Sequence, residues 1–281
     1  MMSRNDVKNK AMASIWVPQE ANVDQATVAR WVYGIANSVL WSRYLHWAKA
    51  LNLNKNLKTI ELGCGYGKLS MAIGLLGGQT TLLDYNQPAL EAARQAHRLA
   101  GLNPQILMED LLEIDPKYKN SFDLVCSMGT LEHFSGKYRQ AAFQAHVDLL
   151  KPGGLLFFTV PNRKAIFYRI AFAIRKAFKF YPKEFHEEPF SAGELKKLGL
   201  QPGISVLEVE AAGTLKDDFN YWIVTNVKSM FRKALHIKNN DKPRLPSLSL
   251  SELDLTKSVK DRRSYLDKTF SYSLLFVGVK K

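Results

Sequence analysis

The stretch Ile60-Glu61-Leu62-Gly63-Cys64-Gly65-Tyr66-Gly67-Lys68, written IELGCGYGK, decides how this chain is read. Three glycines alternate at 63, 65 and 67, directly after a short apolar run and an acid. A dinucleotide fingerprint, G-x-G-x-x-G, counted from Gly63 or Gly65 needs its third glycine where Lys68 or Ser70 stands. A phosphate loop, G-x-x-x-x-G-K-[ST], ending at Gly67-Lys68 would have Leu62 as its first glycine and Leu69 as its hydroxyl residue. Neither pattern fits, so the loop does not serve a phosphate.

Outward from the loop, the chain alternates strand and helix. LKTIEL, QTTLLD, QILMED, FDLVCSM and GGLLFFTV read as strands, and the last follows the turn Lys151-Pro152-Gly153-Gly154. KLSMAIGLLG, QPALEAARQAHRLAG and YRQAAFQAHVDLL read as helices, with Pro88 in the first turn of the second and Gly101 past its end. ISVLEVEAA and SYSLLFVGVKK supply two later strands. Near-continuous apolar strands alternating with helices predict an α/β fold, a doubly wound parallel sheet covered on both faces.

Upstream, residues 1–56 read as a polar arm with an isolated Ile15-Trp16-Val17, then a helical cap. Asp24 is its N-cap, and the helix runs to about Leu51 with a break near Asn37-Ser38. Residues 57–281 form the sheet domain. Two segments break its alternation, 163–190 and 214–268, and insertions at a sheet's carboxyl ends build substrate sites.

Composition bounds the class. A chain of 281 residues with 46% hydrophobic and 23% charged residues is an ordinary globular protein. There is no secretory pattern and no run of about 18 apolar residues. Cys64 and Cys126 lack metal-ligand spacing and read as reduced thiols of a cytoplasmic protein. The net charge of +13 is uneven: residues 1–56 carry 7 Lys and Arg against 3 Asp and Glu, residues 57–162 carry 9 against 10, and residues 163–281 carry 23 against 13. The basic surplus therefore lies outside the segment that holds the glycine loop.

Three carboxylates join the loop at the carboxyl edge of the sheet, where open α/β sheets bind ligands. Glu61 closes the first strand, Asp84 ends the second and Asp110 ends the third. An acid at the second strand's end suits ribose hydroxyls. A further acid at the third suits an adenine amine, and Glu61 suits positive charge. The expected ligand is a cationic nucleoside without phosphates.

These motifs resemble those of the class I (Rossmann-like) S-adenosylmethionine (SAM)-dependent methyltransferases. The resemblance rests on E-L-G-C-G-Y-G, Leu83-Asp84, Glu109-Asp110 and the Leu150-Lys151-Pro152-Gly153-Gly154 turn, in that order, and covers roughly residues 57–162. It implies a seven-stranded sheet in the order 3-2-1-4-5-7-6 with the last strand antiparallel. It implies that Glu61, Gly63, Gly65, Gly67, Asp84, Asp110, Leu111, Ser127 and Met128 bind SAM. In that scheme the glycines let the backbone approach the cofactor, Asp84 takes the ribose and Asp110 the adenine amine. The Ser127–Met128 stretch meets the methionyl end.

Methyl transfer to an alcohol or phenol also needs a base near neutral pH. Gly129-Thr130-Leu131-Glu132-His133-Phe134 resembles the E-x-x-E-H segment of the ubiquinone-type O-methyltransferases, which can hold a divalent metal. Gly129 replaces its first acid, so no metal is expected. His133 is the first candidate base and His186, in the first insertion, the second. The D/N-P-P-Y/F signature of base-modifying enzymes is absent from Ser127-Met128-Gly129-Thr130. The expected acceptor is a small or lipid-like molecule methylated on O or N. RNA or protein methylation, or SAM binding without catalysis, stays open.

Residues 163–183, RKAIFYRIAFAIRKAFKFYPK, hold Arg163, Lys164, Arg169, Arg175, Lys176, Lys179 and Lys183 without an acid. On a helical wheel Ile166, Phe167, Ile170, Ile174 and Phe178 share the face opposite Arg169, Arg175, Lys176 and Lys179, and Phe172 is the exception. Such a basic amphipathic helix either lies on an anionic membrane surface or closes over the active site as a lid.

Overall fold

The computed structural model describes residues 23–53, 56–177, 187–216, 218 and 249–281. The expected N-terminal arm, His186 and residues 178–183 of the basic segment lie outside the described residues. Helix α1 (Gln25–Ala36) starts where the sequence places its cap: the Thr27 amide donates to Asp24 Oδ1 at 2.7 Å. Ser38 caps α2 (Val39–Ala50) in the same way, which accounts for the break between the two helices. Each cap contributes about 1 kcal/mol by satisfying a backbone donor that the helix itself leaves open.

The sheet comprises β1 (Lys58–Leu62), β2 (Gln79–Asp84), β3 (Gln105–Met108), β4 (Phe122–Met128), β5 (Leu150–Pro161), β6 (Ile204–Ala211) and β7 (Ser273–Lys280). Their order is β3-β2-β1-β4-β5-β7-β6. The β1, β2, β3, β4 and β5 pairings are parallel, and β7 runs antiparallel to both β5 and β6. Helices α3 (Lys68–Leu75), α4 (Gln87–Leu99) and α5 (Gly136–Leu149) make the parallel crossovers, and α7 (Ala192–Leu198) precedes β6. One expectation shifts. Lys151–Gly154 is an irregularity within β5, across which the register with β4 jumps from Phe122↔Leu150 to Leu124↔Leu155.

Two cores flank the sheet. Phe143, Phe158 and Phe276 anchor one, the latter pair stacked with centroids 4.8 Å apart. Trp41, Tyr44 and Phe157 anchor the other, against which the N-terminal helices pack. The later insertion straps onto those helices: Trp41 Nε1 donates to the Leu255 carbonyl at 2.9 Å and the Val259 amide to Ser42 Oγ at 2.7 Å. Arg43 and Arg263 pair with Glu208 and Glu210 of β6 beside that strap.

The described part of the basic segment forms helix α6 (Ile166–Ala177). Two residues of the face that the wheel grouped are not seated. Ala165 and Tyr168 are buried, whereas Ile166 is 52% and Ile170 42% exposed. Tyr168 stacks on Phe172 and meets Tyr272 edge-on, so the seat is made by Tyr168, which the wheel left ungrouped, with Phe172, its exception. Helix α8 (Tyr265–Phe270) lies next to this junction, where Asn162 Nδ2 donates to the Thr269 and Ser271 carbonyls.

Candidate active site

A cavity of about 380 Å³ opens at the carboxyl ends of β1, β2, β3 and β4. Glu61, Gly63, Gly65, Asp84, Asp110, Leu111, Met128 and His133 all line it, so most of the expected site residues come together. The volume is that of a small-molecule pocket.

Glu61 sits at the floor. Its Oε2 accepts the Ser70 amide at 2.9 Å, and the residue is 2% exposed. Burial pushes it up to about 7, against the hydrogen bond from Ser70. Asp84 accepts from the Asn86 amide at 3.0 Å and the Gly65 amide at 3.3 Å, and burial raises it as well. Asp110 Oδ1 accepts the Leu112 amide at 2.9 Å, which fixes the turn after β3.

The glycines divide between two tasks. All three have left-handed backbone, with φ of 60°, 51° and 63° at Gly63, Gly65 and Gly67, a region that costs other residues roughly 1–2 kcal/mol. A Cβ at Gly63 would also lie 2.7 Å from the Thr130 side chain, whose hydroxyl donates to the Leu62 carbonyl at 3.0 Å. A Cβ at Gly67 would lie 2.8 Å from His97 and 2.9 Å from Leu82. Gly67 does not line the cavity; its missing side chain makes room for α4 and β2 rather than for a ligand.

Ser127 is a second correction. Successive side chains of a strand point to opposite faces, and in β4 it is Met128 that lines the cavity. Ser127 is fully buried on the other side, with its Oγ 3.0 Å from His146 Nε2. Burial pulls His146 down to about 4, so the neutral ring donates from Nδ1 to the Ala142 carbonyl and its Nε2 accepts a hydrogen bond from the Ser127 hydroxyl.

His133 ends a short 3-10 turn, Leu131–His133, where the chain leaves β4. Its neighbour Glu132 is buried, its Oε2 has no hydrogen-bond partner among the described residues, and burial raises its pKa well above the ordinary carboxylate range. Gly129, standing where the E-x-x-E-H pattern has its first acid, has φ +75°, and a Cβ there would lie 3.0 Å from Glu132 Oε1. A glutamate at 129 would be strained and would face a buried carboxyl. Among the described residues no group of three or more His, Cys, Asp or Glu is placed to hold a metal.

Sequence reasoning missed Ile35, Tyr66, Lys68, Tyr85, Asn86, Glu109, Thr130 and Phe134, which also line the cavity. Tyr66, Lys68 and Glu109 adjoin the recognised motifs. Ile35 comes from α1, and nothing local to it in the sequence points to the cavity.

Residues 60–158 match the family model described as a methyltransferase domain. The chain is 30% identical over 172 residues to a ubiquinone biosynthesis O-methyltransferase of Coxiella burnetii, a match that covers 59% of this chain and 72% of that protein. A protein of the same name from Chromobacterium violaceum is 31% identical over 185 residues, covering 60% and 77%. Among solved structures, the magnesium protoporphyrin IX methyltransferase of Synechocystis PCC 6803 with bound S-adenosylhomocysteine (SAH) superposes with a TM-score of 0.55. It is 12% identical and covers 99% of this chain and 95% of that one. The [4+2]-cyclase SpnF superposes with a TM-score of 0.54 at 18% identity, covering 85% and 80%; at such identities the likeness concerns the fold alone.

The cavity, its acids and the strand order define a SAM-dependent methyltransferase with a Rossmann-like sheet. This chain belongs to the class I SAM-dependent methyltransferase family, with SAM as its cofactor.

Proposed function

We propose that this enzyme transfers the methyl group to the oxygen of a phenolic hydroxyl on a small, lipid-like acceptor. The observation that carries the reading is His133: an imidazole lines the same cavity as Glu61, Asp84 and Asp110, at the carboxyl end of β4. Its likeness to the ubiquinone biosynthesis O-methyltransferases supports oxygen over nitrogen. A phenol, with a pKa of about 10, is within reach of an imidazole base near neutral pH, whereas an aliphatic alcohol is far more basic once ionised.

In this reading Asp84 holds the ribose, Asp110 and Leu111 hold the adenine, and Glu61 with Met128 meets the cationic amino-acid end. Bound SAM supplies a methyl group on positively charged sulfur, ready for in-line displacement. The protein fixes the hydroxyl in line, and an imidazole nitrogen of His133 accepts its proton. Positioning of this kind lowers a barrier by several kcal/mol. The residues fit the cofactor: carboxylates face where ribose and positive charge would lie, and no phosphate-binding pattern is present. We place the acceptor between the helical cap, residues 1–56, and the insertions 163–190 and 214–268 of the domain 57–281. His186 serves in the first insertion.

The acceptor's lipid-like character is supported by exposed apolar side chains on two neighbouring helices: Ile166 and Ile170 on α6, Tyr265 and Leu266 on α8. Basic residues accompany them, including exposed Arg163, Lys164 and Arg169. A cytoplasmic enzyme lying peripherally on an anionic membrane would use such a surface. Among the described residues no helix is long and apolar enough to cross a membrane.

The test is incubation with methyl-labelled SAM and a mixture of alkyl-substituted phenols and amines, read by mass spectrometry. Label on phenols alone supports the reading. Label on amines alone, on added RNA or on protein overturns it, as does SAH binding without transfer to any acceptor.

A further inference from the structure

The cavity's charges are lopsided. Glu61, Asp84, Glu109 and Asp110 line it, and among the described residues Lys68 is the one lysine or arginine in its lining. The sheet order runs β3-β2-β1-β4, so if Asp110 and Asp84 hold adenosine, the cofactor's amino-acid end lies over β1 and β4. Lys68 is at that end, as the first residue of α3 directly after the glycine loop. An amino-acid end carries an ammonium and a carboxylate together. The acids suit the ammonium; a carboxylate in their midst needs a cation.

The structure holds Lys68 in a defined place. Its Nζ lies 4.5 Å from the ring centroid of Trp31 and 5.6 Å from that of Tyr66. Those two rings are themselves 4.6 Å apart and tilted by 45°. A cation over aromatic faces keeps its charge and loses part of its freedom, so less entropy remains to be lost when an anion arrives. Trp31 belongs to α1, and Ile35, one turn further on, lines the cavity directly.

We infer that Lys68, positioned by Trp31 and Tyr66, pairs with the cofactor's carboxylate, so that the N-terminal helix completes the cofactor site. The inference rests on SAM as the cofactor and on the adenosine assignment above; it is independent of the acceptor and of His133. Trp31 acts through Lys68 and is a positioning residue.

The test is calorimetric binding of two ligands, SAH and its decarboxylated analogue, in which hydrogen replaces the carboxylate. Wild-type protein should bind SAH at least about tenfold more tightly, as expected for one charge-assisted pair. Lys68→Met should shrink that preference to within about threefold and leave the analogue's affinity nearly unchanged, the pattern of a lost pair and not of a lost fold. Trp31→Leu should shrink it in the same direction by less. Equal wild-type affinity for the two ligands, or equal weakening of both by Lys68→Met, overturns the inference. If the variants do not fold, salt decides on the wild type: the preference should fall as salt rises, because Lys68 is solvent-exposed. A preference indifferent to salt overturns it. Failure of wild-type SAH binding would strike the cofactor assignment itself, whereas intact binding without methyl transfer would touch only the acceptor reading.

Discussion

Gly67 and His97 are in van der Waals competition for one place: a Cβ at 67 would lie 2.8 Å from Cε1 of the histidine. His97 is fully buried, and burial holds it down to about 4, so it is a neutral packing residue whose Nδ1 donates to the Ala93 carbonyl. Gly67→Ala adds this clash to the strain of left-handed backbone and should destabilise the protein by about 2–4 kcal/mol in urea unfolding. His97→Ala in that background should recover part of the loss. Wild-type stability in Gly67→Ala would refute the packing role.

Glu61 makes cofactor binding depend on pH. Its carboxyl titrates at about 7 because burial penalises the charge. A cationic ligand favours the ionised form, so SAM binding should release a proton, and affinity should rise with pH through 7 and level off above it. For the ligand-free protein the sign is the reverse. The group's contribution to stability is complete below its ordinary value of 4.5 and is lost as pH rises through about 7. Glu61→Gln should flatten both profiles. A SAM affinity that falls with pH across this window in the wild type would contradict the assignment.

Asp84→Asn leaves the side chain's size intact but removes the charge that receives the Gly65 and Asn86 amides. If Asp84 also takes the ribose, SAH affinity should fall about tenfold to a hundredfold by calorimetry, one or two charge-assisted hydrogen bonds. Unchanged affinity would remove Asp84 from the cofactor site.

Much of this was legible in the sequence for a local reason. Strands with apolar runs, helices closed by Asp24 or Pro88, and acids at strand ends report on their own neighbourhoods. The sheet order came with the family resemblance and not from periodicity. What the sequence hides is contact across distance. Gly67 reads as a ligand glycine until His97, thirty residues on, is seen beneath it. Ser127 reads as a cofactor residue until the alternation of β4 turns it toward His146. The wheel of α6 groups Ile166 and Ile170 on one apolar face, but hydrophobicity cannot tell which side chains find a partner within the protein; Tyr168 finds Tyr272.

The exposed apolar pair on α6 gives the membrane reading a sharp test. Wild-type protein should sediment with liposomes containing an anionic lipid, and less as salt rises. Combined Ile166→Ser, Ile170→Ser and Arg169→Gln should abolish sedimentation while leaving SAH affinity unchanged, because none of these residues lines the cavity. Wild-type protein that ignores such liposomes at low salt would return α6 to the role of a lid.

The most direct test of the account is the single-turnover rate of methyl transfer to a phenol, followed against pH in the wild type and in His133→Ala. At pH 7 the variant should be slower by roughly 10²–10⁴, with SAH affinity retained. As pH approaches about 10 the phenol ionises unaided, and the two rates should converge. Equal rates at neutral pH, or a deficit that persists unchanged to high pH, would contradict His133 as the base.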